Sequence, residues 1–158
     1  MSYIIDKKNQ EDRILHCFAF LDVLIKMYNA KGLVDVNRYA EDFFIPVLDM
    51  IFDTKFKNLN VKKPNAEFVD LANPEATIAI QITSNHRNEK LIQSAAGIFK
   101  KNPDAKFYYL LLCGKMPVYE KTTISKIKEV NKNFTSENVI DLKILSDKIN
   151  LLPPSISS

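Results

Sequence analysis

The stretch AEFVDLANPEATIAIQIT, residues 66–83, decides the architecture of this chain. Its second half, TIAIQIT, alternates strictly. Ile78, Ile80 and Ile82 therefore project to one side of an extended strand and Thr77, Ala79, Gln81 and Thr83 to the other. Its first half, AEFVDLA, reads as a partner strand, and the NPE between them is turn chemistry. The two together read as a hairpin. With Asn73 to Ala76 as the turn, Ala72 pairs with Thr77 and Asp70 with Ala79, which makes Asp70 and Gln81 diagonal neighbours on one face. A slip of one residue would send them to opposite faces.

Outward from the hairpin the period changes. Upstream, Ile14, Phe18, Leu21, Ile25 and Tyr28 recur at helical spacing between Glu11 and Asn29, and Lys31-Gly32 ends the pattern. A second helix runs from about Val36 to Phe52, with Asp35 or Asn37 as N-cap and Pro46 as a bend or a late start. Phe56 to Val61 is a short, poorly patterned strand. Downstream, Leu91, Ile92, Ala95, Ile98 and Phe99 define a helix from about Asn88 to Lys101, closed by Pro103. The run KFYYLLLC is a strand covered on both faces. A further helix over Lys121 to Asn133, then VIDLKIL as a short strand and SDKINLL as a terminal helix, complete the chain. The order predicts an α/β fold, a mixed β-sheet flanked by helices.

The chain has 158 residues, 46% of them hydrophobic and 26% charged, the size and composition of one globular domain. That domain is expected over residues 1–152, with 153–158 as a loose polar tail. Cys17 and Cys113 lie in apolar runs, without metal-ligand spacing, and read as buried free thiols of a reducing compartment. No membrane-length apolar run and no signal-peptide pattern is visible, so the expected location is cytoplasmic. A formal charge of +3 neither demands nor excludes nucleic acid.

Few polar residues stand out against this background. Gln81 in an otherwise apolar strand must find partners or lose roughly 1–3 kcal/mol. A bond to Asp70 or Thr83 would satisfy it. Asp70 by itself is also ordinary turn chemistry, and Glu41 on a charged helix face is ordinarily solvated. His16 reads as a packed residue of the first helix, and His86 lacks a second ligand at zinc spacing. Lys55, Lys57, Lys62 and Lys63 precede Asp70, while His86, Arg87 and Lys90 follow Gln81. The candidate site is therefore flanked by charges suited to a phosphate backbone.

Glu41 in YAEDFF, Asp70 in EFVDLAN and Gln81 in IAIQITS together resemble the PD-(D/E)XK nuclease superfamily, especially the Mrr-like restriction endonucleases. More narrowly, EDFFIPVLDMIF, FKNLNVKKPNAEFVDLANPEATIAIQITSN and EKL look like the bacterial SMEK domain, usually found at the N-terminus of larger predicted defence proteins. The resemblance spans about residues 10 to 145. It implies a restriction-endonuclease-like core in the order helix, three strands, helix, strand, and Mg²⁺-dependent hydrolysis of DNA, more than RNA, in bacterial antiphage defence. Hard Mg²⁺ takes oxygen ligands. The resemblance therefore implies Asp70, Gln81 and the Ile82 carbonyl as metal ligands and Glu41 as an outer or water-mediated one. Lys62, Lys63, Thr83 and Arg87 would meet the nucleic acid.

One departure matters. Where the superfamily has lysine two residues after the acid or glutamine, this chain has Thr83, which cannot carry the positive charge that phosphoryl transfer needs. Lys90 on the following helix is placed to replace it, with Arg87 second. The alternative is a catalytically inactive nuclease-fold module that senses nucleic acid or a partner effector protein. A homodimer, through the first helix or the exposed side of the sheet, would suit double-strand recognition.

Overall fold

The computed structural model describes residues 2–32, 35–61, 68–114 and 119–152, with side chains from residue 7 in the first helix and residue 40 in the second. Helix α1 (Ser2–Ala30) and helix α2 (Asp35–Phe52) lead into strand β1 (Lys57–Asn58), which ends in a 3₁₀ turn, Leu59–Val61. Strands β2 (Leu71–Ala72) and β3 (Ile78–Thr83) form the hairpin. Helix α3 (Asn88–Lys101), strand β4 (Lys106–Leu111), helix α4 (Lys121–Val130), strand β5 (Val139–Ile140) and helix α5 (Leu142–Asn150) follow. The five strands lie in chain order in one sheet. The β1–β2 and β2–β3 pairs are antiparallel, and the β3–β4 and β4–β5 pairs are parallel. The fold is thus a mixed α/β arrangement. Among the described residues no helix is long and apolar enough to cross a membrane.

Strand alternation distributes the core. Ile80 and Ile82 join Ile25, Phe44, Leu48, Leu110 and Leu145 under α1, α2 and α5. Ala79 joins Leu91, Ala95, Tyr109, Ile127 and Phe134 under α3 and α4. The sheet is therefore covered on both faces, which is why β4 is apolar without alternation. The odd-numbered face of β3, the side of Gln81, looks toward α3.

The hairpin register differs from the one its turn residues imply. Ala72 pairs with Ala79 and Leu71 with Ile80, two residues further along than expected. The cause is Asn73, which is buried. Its N–H donates to the Ile78 carbonyl (3.3 Å), and its Oδ1 accepts from the Ile78 N–H (2.9 Å). Its Nδ2 donates to Thr77 Oγ1 (2.8 Å). Thr77 is thereby drawn into the turn, and Ala76 takes φ 54°. A shift of two preserves the faces and moves Asp70 from a diagonal position to one directly across from Gln81.

Three other expectations change. Cys17 and His16 are exposed, because the face of α1 that carries them turns away from the sheet, and Cys113 is half-buried. The AEFVDLA strand is only two residues long within the described part, since Phe68 adopts φ 69°. The segment VIDLKIL divides at Asp141, whose side chain caps α5 by accepting from the Ile144 N–H at 2.7 Å. Asp141→Ala is expected to cost about 1–2 kcal/mol, read as a lower urea midpoint with an unchanged slope.

Candidate functional site

Asp70, Gln81 and Tyr109 occupy adjacent positions across β2, β3 and β4. Asp70 precedes β2 and lies one ladder step beyond the Leu71–Ile80 pair, and Gln81 is the register partner of Tyr109. The Asp70 N–H donates to the Ile80 carbonyl at 3.0 Å, and its own carbonyl accepts from the Leu59 N–H at 2.8 Å. The backbone is thus held from β3 on one side and from the 3₁₀ turn after β1 on the other. The carboxylate then takes over the ladder: Oδ2 accepts from the Ile82 N–H at 2.7 Å and from Gln81 Nε2 at 2.9 Å. The structure therefore brings Asp70 and Gln81 together on one side of the sheet. The Ile82 carbonyl projects to the same edge as its N–H, because both groups of an extended residue point one way.

Asp70 is 6% exposed. Burial pushes its carboxyl up to about 6, and the nearby charge of Glu41 adds to the rise. The Ile82 N–H, Asn60 and the charge of Lys90 act in the opposite direction without cancelling it. A buried carboxylate with neutral donors around it is short of positive charge.

Glu41 reaches the site through two asparagines. Asn60 Nδ2 donates to Asp70 Oδ1 at 2.9 Å and to Glu41 Oε2 at 3.0 Å. Asn58 Nδ2 donates to the same Glu41 oxygen at 3.2 Å and to Asp42 Oδ1 at 2.9 Å, while its Oδ1 accepts from the Asn60 N–H. The α2 acid and the hairpin acid are therefore linked without touching. Sequence reasoning missed both asparagines. Their only signal was the alternation Asn58, Leu59, Asn60 within a weak strand pattern.

Lys90, on the first turn of α3, is half-buried and close enough for its charge to act on Asp70. Arg87 is exposed at the residue before α3, and its N–H donates to Asn85 Oδ1. Thr83 is buried, with its hydroxyl accepting from the Asn85 N–H at 3.1 Å, so it shapes the turn into α3. That turn is held from β4 and beyond. The Tyr109 hydroxyl donates to the Asn85 carbonyl at 3.0 Å and the Tyr119 hydroxyl to the His86 carbonyl at 3.3 Å. Burial raises both phenols, Tyr119 to about 12, so each stays a donor. Lys62 and Lys63 lie outside the described residues.

Phe68, two residues before Asp70, packs its ring against Gly97 of α3, where a Cβ would come within 2.3 Å of the ring. Lys101 lies over the same ring at 5.7 Å from its centroid. Gly97 thus lets the chain approach α3 closely enough to set Asp70 over β3.

No group of three or more His, Cys, Asp or Glu suited to a metal ion occurs among the described residues. A cation here would have one carboxylate, the Ile82 carbonyl and the Gln81 amide oxygen, the last after the amide turns over to exchange donor for acceptor. Those are hard oxygen donors, and Mg²⁺ ordinarily takes one or two carboxylates and keeps several waters. The residues fit such an ion as a sparse site.

Neither a curated protein nor a solved structure matches the chain. The model of the SMEK domain matches it over residues 13–150, which takes in α2, the hairpin and every polar group of the site. The chain belongs to the SMEK domain family.

Proposed function

We propose that this domain is a restriction-endonuclease-like, Mg²⁺-dependent phosphodiesterase acting on DNA, in keeping with a role in bacterial defence. The observation that carries this reading is the Asp70 carboxylate, buried and short of positive charge, with the Gln81 amide and the Ile82 backbone against it. Bound Mg²⁺ would supply polarisation of the phosphoryl group and a more acidic water.

The protein's own groups divide the remaining work. Asp70, Gln81 and the Ile82 carbonyl hold the cation. Glu41, through Asn60, fixes the Asp70 carboxylate and orients water. Lys90 offsets the charge that develops on phosphorus, a task Thr83 cannot perform because it has no charge and its hydroxyl is committed to the turn. Arg87, with Lys62 and Lys63, tracks the phosphate backbone.

The test is cleavage of plasmid and single-stranded DNA with Mg²⁺ or Mn²⁺. Asp70→Ala is expected to reduce cleavage to background, and Lys90→Ala to slow it by about 100-fold, the effect of removing one group that stabilises transition-state charge. Activity retained in Asp70→Ala would overturn the assignment. Thr83 in place of a lysine favours a second reading, a module that binds nucleic acid or an effector protein without hydrolysis. Binding without cleavage by the wild type under every metal condition would establish that reading instead.

A further inference from the structure

Among the described residues three groups donate to the Asp70 carboxylate, and they differ in how firmly each is held. The Ile82 N–H, at 2.7 Å, belongs to the backbone of β3 and cannot leave without opening the strand. Asn60 Nδ2, at 2.9 Å, is tied at 3.0 Å to Glu41 as well, and the Asn60 N–H donates to Asn58 Oδ1. Gln81 Nε2, also at 2.9 Å, has no second anchor. Its Oε1 meets no donor among the described residues, and the hydroxyl of Tyr109, its register partner on β4, donates to the Asn85 carbonyl instead. Gln81 is therefore the donor that an incoming cation displaces most easily.

An amide carries a donor at one end and an acceptor at the other. We propose that the Gln81 amide is a two-position latch: it donates to Asp70 while the cation site is empty, so that the domain folds without a cation, and it turns over to offer Oε1 when a cation arrives. The latch rests on Asp70 holding a cation.

A carboxylate at this position, as in Gln81→Glu, would hold a cation more strongly and would fail the empty state. Two carboxylates would meet on one face of the hairpin, with the negative charge of Glu41 adding to the repulsion and the charge of Lys90 opposing it. Buried like charges without a partner disfavour the folded state. The wild-type amide gives a weaker site that is stable when empty. The cation is accordingly expected to enter and leave a domain that is already folded.

Melting of the full chain in chelator and in Mg²⁺, at a pH of about 8 and so well above the ordinary carboxylate range, reads the empty and filled states separately. The wild type is expected to melt as a folded domain in both, with a small rise in Mg²⁺. Gln81→Glu is expected to melt about 5–10 °C lower than the wild type in chelator and to recover most of that loss in Mg²⁺. Gln81→Met keeps the length of the side chain and loses both ends of the amide. It is expected to melt below the wild type in chelator and to gain little from Mg²⁺. The turnover itself is read from the Gln81 side-chain NH₂ signals in ¹⁵N-correlated NMR spectra, assigned by their absence in Gln81→Met. Their exchange with water is expected to be slow in chelator and fast at saturating Mg²⁺. If Gln81→Glu melts with the wild type in chelator, the latch is overturned. Mn²⁺ uptake by a wild type whose NH₂ signals stay protected overturns the latch alone, whereas Mn²⁺ that remains free overturns the cation site and the latch together.

Discussion

Asp70→Asn is expected to gain stability on the wild type as the pH rises, by up to about 3 kcal/mol between about pH 4 and pH 7 in chelator-treated buffer. The carboxyl sits at about 6 in the folded protein, above the ordinary aspartate value of 3.8, because burial disfavours the charged form. An acid shifted this way binds its proton more tightly when folded. Its contribution is present in full below the unfolded value and is lost as the pH rises through the folded one. The wild type therefore loses stability over that window, and the asparagine variant, with nothing to ionise there, does not. Asparagine has its own cost, because Asn60 already donates to both Asp70 and Glu41 and must rearrange to meet a second amide. That cost is independent of the Asp70 proton, so the informative quantity is the change with pH of the difference between the proteins, read from urea midpoints. A difference that stays flat across the window would show that the carboxyl is not strained. The same variant is expected to lose metal-dependent cleavage, an instance of a functional group retained at the expense of stability.

Gly97→Ala is expected to destabilise the fold by about 1–3 kcal/mol, the usual range for an added methyl group in a filled space. The new Cβ meets the Phe68 ring near its base, and that ring has little freedom: Phe68 stands at φ 69° and leads directly into Asp70. A ring displaced here carries Asp70 off Gln81, so cleavage should fall together with stability. Phe68→Ala alone gives up the ring's packing, whereas Phe68→Ala in the Gly97→Ala background removes the clash. The double variant is expected to be more stable than the sum of the two single effects predicts, and a double-mutant cycle by urea unfolding measures that coupling. Strict additivity would mean that the ring and Gly97 do not meet.

The parts of this fold that were legible in the sequence are those whose side chains announce their own environment. TIAIQIT shows its two faces by alternation, Asn88–Lys101 its buried side by helical spacing, and KFYYLLLC its double cover by having no polar face. The hairpin register was not legible. It depends on Asn73 bonding to Ile78 through both backbone and side chain, a choice that turn propensity does not reveal. Asn58 and Asn60 were missed for a related reason, because their partner Glu41 lies 17 and 19 residues upstream. Cys17 and His16 read as interior residues because they stand among Ile14, Phe18 and Leu21 in a run of apolar residues. That pattern signals burial without saying whether the cover comes from within the chain. The pairing of Asp70 with Gln81 was legible in face and not in register, and it survived because the shift was an even number of residues.

The proposed cleavage depends most on Asp70, Gln81 and the Ile82 carbonyl acting together as one cation site. Titration of the chain with Mn²⁺, followed by electron paramagnetic resonance of the free ion, tests this without reference to any substrate. The wild type is expected to remove one Mn²⁺ per chain from solution, Gln81→Ala to bind more weakly and Asp70→Asn not to bind. Equal binding by the wild type and Asp70→Asn, or no binding by the wild type, would contradict it.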